Sequence, residues 1–138
     1  MRVYVDSSVA GRIILQQADR LFDWGRWTAA VSSELLGVEM RRALHRIRLE
    51  HVHDDEWLVH ALMALRAVEE ALDQVTLDSG VLAVASMPMP TVVKTLDAIH
   101  LASALQYRGQ SGEAVVFATH DRQQALGARA LGFEVVGV

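Results

Sequence analysis

The run AVVFAT, residues 114–119, is apolar up to its final threonine and shows none of the in-and-out alternation of a strand with one wet face. A strand of that kind is buried on both sides, which a parallel sheet covered by helices on each face provides. The rest of the chain must then supply further strands and two helical layers, and its patterning does so. RVYV (2–5) is a second β-rich run, with shorter strands expected at 29–31, 74–77 and 133–138. Ser7 or Ser8 is placed to cap a helix through Ile13 and Leu15 to about Gln17, and a shorter helix is expected over Leu21–Trp27. Ser32 or Ser33 is the expected N-cap of ELLGVEMRRALHRIRL, where Leu36, Met40, Ala43, Leu44 and Ile47 share one face. Asp54 or Asp55 starts a long helix in which Leu58, Leu62, Leu65, Val68 and Leu72 recur at helical spacing, so these two helices form an antiparallel pair. Asp78 caps a helix to about Ser86. Pro88 and Pro90 mark a loop, Thr95 caps TLDAIHLASAL, and DRQQALGARAL ends with Gly132 at C′. Strands alternating with helices across short connections predict a three-layer α/β/α sandwich on a central parallel sheet, as one domain over residues 1–138.

Composition removes several function classes. Cysteine is absent, which excludes a disulfide framework or a thiolate metal site. The formal net charge of −4 argues against coating nucleic acid by bulk positive charge, although Arg41, Arg42, Arg46 and Arg48 make a local basic cluster. No apolar run approaches the roughly 18 residues of a membrane span and no signal-like segment opens the chain, so a soluble cytoplasmic protein without membrane contact is expected.

In open parallel sheets the functional crevice lies at the carboxyl ends of the strands. Asp6 directly follows RVYV, and Asp121 follows AVVFAT after His120. Each alone serves as an ordinary helix cap. Glu39 borders the apolar face of its helix, with Glu34 five residues earlier in the first turn, and Asp97 sits in the first turn of its own helix. If Asp6, Glu39, Asp97 and Asp121 converge, their repulsion calls for a cation. Oxygen-only ligands select a hard divalent ion, Mg²⁺ or Mn²⁺, whose chemistry is phosphoryl transfer or hydrolysis.

The segments VYVDSSVA, VSSELLGVEMRRAL, TLDAIHLASAL and FATHDRQQALGARALGFEVV resemble, in order, the four acidic motifs of PIN-domain ribonucleases, most closely the VapC-type toxins of bacterial type II toxin–antitoxin pairs. The resemblance covers nearly the whole chain. It implies a PIN-like domain in which Asp6, Glu39, Asp97 and Asp121 hold Mg²⁺ or Mn²⁺, with Ser8 and Thr119 as supporting hydroxyls. It favours Glu39 over Glu34, on the VEMRRAL match. It also implies an endoribonuclease acting on structured RNA such as tRNA or rRNA loops, a homodimer, inhibition by a cognate VapB-type antitoxin, and DNA contact only through that complex. Arg41, Arg42 and Arg46 follow Glu39 on one helix and become candidates to hold RNA phosphates.

Other residues carry plainer readings. His51 and His53 lack further ligands spaced to complete a zinc site, Trp24 and Trp27 are expected to pack, and neither His100 nor His120 is needed as a base. A catalytically silent PIN-fold module that binds RNA or protein is the main rival. Receiver-like and haloacid-dehalogenase-like proteins fit poorly: the second position after Asp6 is Ser8 where such phosphatases carry Asp, and the single lysine, Lys94, lies after a proline loop.

Overall fold

The computed structural model describes residues 1–20 and 26–138. At its centre β1 (Arg2–Val5) and β4 (Val115–Ala118) run parallel, with Tyr4 beside Phe117 and Val5 beside Ala118. All four β4 residues are buried, as are the last three of β1, as a doubly covered strand pair requires. β2 (Ala29–Ser33) lies on the other side of β1 with β3 (Asp73–Val75) beyond it, and β5 (Glu134–Val136) flanks β4. The described strands make one all-parallel sheet in the order β3-β2-β1-β4-β5.

Alternation along β1 assigns its side chains to two cores. Val3 and Val5 face α1 (Ser7–Ile14), α2 (Leu35–His51) and α3 (Asp55–Ala71), packing with Val9, Leu44 and Leu65. Tyr4 points the opposite way, into a cluster with Phe117, Leu101 and Ala128 under α5 (Thr95–Ser111) and α6 (Arg122–Ala130), while α4 (Ser79–Ala85) adds Val81. The architecture is therefore the expected three-layer α/β/α sandwich on a central parallel sheet. The helix pair α2 and α3 pack together, joined by an ion pair between Arg48 and Asp55 across their connection. No helix among the described residues is long and apolar enough to cross a membrane.

Several boundaries differ from the sequence reading. Asp6, and neither Ser7 nor Ser8, occupies the N-cap of α1, and that helix stops at Ile14 instead of Gln17 because Gln16 turns left-handed (φ 53°). β2 extends two residues further than expected, to Ser33, so Glu34 holds the α2 N-cap position while the Ser33 hydroxyl accepts from the Leu35 N–H at 3.1 Å. Lys94, not Thr95, precedes the first turn of α5. Asp54 and Asp78 cap as read, accepting from the Trp57 and Val81 amides at 2.8 and 2.9 Å. Gly132 adopts φ +83° after α6, the left-handed stop that glycine permits. Trp27 packs against the first core, whereas Trp24 and most of the helix expected over Leu21–Trp27 lie outside the described residues.

The end of α2 breaks a local rule. Val52 sits there at φ 53°, ψ 53°, a left-handed conformation that a β-branched residue adopts at a cost of roughly 1–2 kcal/mol, and its side chain is 89% exposed, so packing does not offset the strain. Val52→Gly relieves the clash but adds unfolded-state entropy. The expected net gain in urea unfolding is about 0.5–1 kcal/mol with an unchanged m-value, and a loss of stability would contradict the strain.

Candidate active site

The topology places a crevice between β1 and β4. From β1 the chain adds strands outward to one side, then returns to start the other side with β4, so this pair is the point where strand order reverses. Asp6 emerges at the end of β1 and Thr119 and Asp121 at the end of β4. Asp97 lies in the first turn of α5 and Glu39 on α2, and all four acids line one cleft of about 600 Å³. A groove of about 700 Å³ between α4, the proline loop and α5 has Lys94 as the sole charged side chain among its described lining residues, so the groups suited to chemistry are concentrated in the first cleft.

Asp6 is the anchor of this cleft. Its side chain makes no cap bond. Instead Oδ2 accepts from the Ser8 hydroxyl at 2.7 Å and from the Thr119 hydroxyl at 2.9 Å. Those hydroxyls are themselves oriented, since the His120 N–H donates to Ser8 Oγ at 2.9 Å and the Asp121 N–H donates to Thr119 Oγ1 at 3.0 Å. Oδ1 is buried and has no hydrogen-bond partner. Asp6 is only 2% exposed, and a buried carboxylate oxygen left unpaired is expensive, so a cation in the cleft is the partner of matching chemistry.

The other acids are held differently. Asp121 caps α6, one oxygen accepting from the Gln124 amide at 3.0 Å. Glu39 Oε1 lies 2.5 Å from His100 Nε2, whose ring is fully buried and whose Nδ1 meets the Tyr4 hydroxyl at 2.7 Å. Burial disfavours the charged His100 ring, but the hydrogen bond it donates to Glu39 and the charges of Asp6, Glu39 and Asp97 outweigh it and raise its pKa. Glu34 leaves the cleft altogether, its Oε1 accepting from the Leu77 amide at 2.6 Å, so of the two α2 candidates only Glu39 lines the site.

Among the described residues no three histidine, aspartate or glutamate side chains already stand close enough to close on an ion. The four acids share the cleft and its electrostatics without meeting at a point. Their donor set, oxygen only and with one buried oxygen unpaired, suits Mg²⁺ or Mn²⁺, which keep several waters and need few protein ligands.

Two residues escaped the sequence reading in this role. His100, three residues after Asp97 on α5, reaches across to Glu39 of α2. Gln124 is fully buried, donating from Nε2 to the Asp97 carbonyl at 3.1 Å, and thereby ties the start of α6 to the start of α5. Its signal was a polar residue on the Ala125/Ala128 side of the helix. Of the arginines, Arg42 and Arg46 line the cleft, joined by Arg12 from α1. Arg41 departs from the expected rim: it turns to α3, 2.5 Å from Glu69, while also donating to the Gly37 carbonyl at 3.1 Å. At the far side of the site Gly137 adopts φ +101°, with its carbonyl 2.7 Å from His120 Nδ1, and a Cβ there would fall 2.5 Å from the Thr119 carbonyl.

The Asp97 carboxyl is held above its ordinary value of 3.8, first by burial and then by the charges of Asp6 and Asp121, with Glu39 adding to them and His100 opposing. The folded state therefore binds this proton more tightly than the unfolded state. Its favourable contribution is complete below the ordinary value and is lost as pH rises through the raised one. With metal chelated, Asp97→Asn should melt at a higher temperature than wild type at pH 7, the advantage shrinking as pH falls towards 4; a variant less stable at pH 7 would count against the repulsion.

No family model matches the chain. Ribonuclease VapC35 of Mycobacterium tuberculosis is 28% identical over 142 residues, spanning 97% of this chain and 95% of its own length. Ribonuclease VapC47 of the same organism is 27% identical over 138 residues, spanning 95% and 93%. The chain is thus similar over nearly its whole length to VapC ribonucleases, and it carries a parallel α/β/α sheet with an acidic cleft at its switch point.

Proposed function

We propose that this chain is an endoribonuclease toxin that uses Mg²⁺ or Mn²⁺ to hydrolyse phosphodiester bonds in structured RNA, such as tRNA or rRNA loops, in the cytoplasm. The observation that carries the reading is the unpaired, buried Oδ1 of Asp6 in a cleft shared with Glu39, Asp97 and Asp121. The names of its relatives, both ribonucleases, support the same class of reaction.

In this reading Asp6 and Asp97 are the principal ligands, with Glu39 and Asp121 completing the acidic set, and Ser8 and Thr119 hold Asp6 in one rotamer. A hard divalent ion bound there supplies Lewis acidity and a more acidic water at the scissile phosphate. The protein's own part is to present fixed carboxylates, so that little reorganisation remains when substrate arrives. Arg42 and Arg46, a helical turn apart on the cleft wall, hold RNA phosphates beside the acids. Such a local basic track offers RNA a foothold on a chain of net charge −4.

A cognate VapB-type antitoxin silences the site by bringing an arginine or lysine to the carboxylates, while an apolar helix covers α2 and α3, where Val38, Leu49, Val59 and Met63 are exposed. The toxin works as a homodimer and meets DNA only through the antitoxin complex.

The test is incubation of the antitoxin-free protein with total bacterial RNA, with Mg²⁺, Mn²⁺ or EDTA, and sequencing of the new ends. Discrete metal-dependent cuts are expected, and Asp6→Asn and Asp97→Asn should each reduce cleavage by at least about 100-fold while remaining folded. Cleavage retained in both variants would overturn the reading, and RNA binding indifferent to EDTA with no cut would favour a silent binding module. The double change Arg42→Ala/Arg46→Ala should weaken binding across RNA sequences and flatten its dependence on log salt by about two, one per lost phosphate contact. An unaltered slope would remove these arginines from the RNA path.

A further inference from the structure

The Tyr4–His100–Glu39 chain spans all three layers of the fold: a phenol from β1, an imidazole from α5 and a carboxylate from α2, linked at 2.7 and 2.5 Å. Tyr4 and His100 have no exposed surface, whereas Glu39 reaches the cleft. Packing alone would be served as well by leucine at position 100, and a buried imidazole needs both its nitrogens satisfied. Here one nitrogen is committed to a carboxylate on a different helix, 61 residues away in sequence.

We propose that His100, backed by Tyr4, is a positioning residue that locks Glu39 through Oε1 and thereby reserves Oε2 for the cation of the cleft. The inference rests on the metal-dependent reading above. A glutamate side chain has three rotatable bonds, and one leaving the flank of α2 has many ways to miss the cleft. A carboxylate only accepts, so His100 Nε2 carries the proton and donates to Oε1. Tyr4 then serves Nδ1 in either state of the ring, donating to a neutral imidazole or accepting from a protonated one, so the lock does not depend on which form is present. The geometry follows the general pattern in which the groups behind a metal ligand fix its orientation, and loss of such a group typically weakens metal binding by roughly 10–100-fold.

Binding of Mn²⁺ alone to the full chain, followed by electron paramagnetic resonance of the free ion, reads this directly without reference to RNA cleavage. Wild type should bind Mn²⁺, and His100→Leu should weaken it by at least about tenfold. Tyr4→Phe should show a smaller loss, and His100→Gln, whose amide N–H can still donate to Glu39, an affinity nearer wild type. The decisive comparison is made in Glu39→Gln, which has lost the ligand that His100 holds: adding His100→Leu there should cost nothing further. Thermal melts establish which variants are folded, and Tyr4→Phe with His100→Gln carries the comparison if His100→Leu is not. Wild-type binding with no loss in the His100 and Tyr4 variants, or an undiminished loss in the Glu39→Gln background, overturns the lock while leaving the metal reading intact. Wild-type protein that binds no Mn²⁺ overturns both.

Discussion

Burying the Asp6 carboxylate between two central strands is the constraint around which the site is organised. A charge in that position would be prohibitive without donors, and the chain supplies them from its own backbone by relay: the amides of residues 120 and 121 feed the hydroxyls of Ser8 and Thr119, which feed one oxygen of Asp6. The same bonds couple the carboxyl ends of β1 and β4, so the sheet and the cleft are one construction. The other oxygen is left over, buried and without a hydrogen-bond partner, and it is on this surplus that the proposed cation rests.

The remaining acids show how one kind of side chain is put to separate ends by its surroundings. Asp121 is shared between the Gln124 backbone amide and the cleft, Glu34 is absorbed by the Leu77 amide just past β3, and Asp97 stays partly buried under the repulsion of its neighbours. A cation bound among them would lower the energy of all of them together and so link its binding to the stability of the switch-point region.

The layered architecture was legible because it follows from local patterns. β4 announces two covered faces, and helical periodicity announces α2 and α3. The acids were legible as positions, each just beyond a strand or near a helix start. Less visible were the features that depend on distant partners. Nothing near His100 says that its ring will meet a tyrosine 96 residues away and a glutamate on another helix. Arg41 and Arg42 are adjacent in sequence, yet a helix sends them in different directions, one to Glu69 and the other to the cleft. Caps slipped by a residue or two because Asp6 and Glu34 took those positions through backbone geometry while their carboxylates were engaged elsewhere.

The close approach at Gly137 gives the site an unusual dependence on the edge of the sheet. β5 has only three residues, the Thr119 amide donates to its Val136 carbonyl at 3.0 Å, and glycine lets the chain pass hard against the Thr119 carbonyl just beyond. Short edge strands open more readily than the sheet they flank. Fraying of this edge would free Thr119, and with it one of the two donors holding Asp6, long before the core let go. The acidic arrangement could thus be dismantled and rebuilt by a local opening of the few residues of β5, on its own timescale and without the global unfolding that the two buried cores resist.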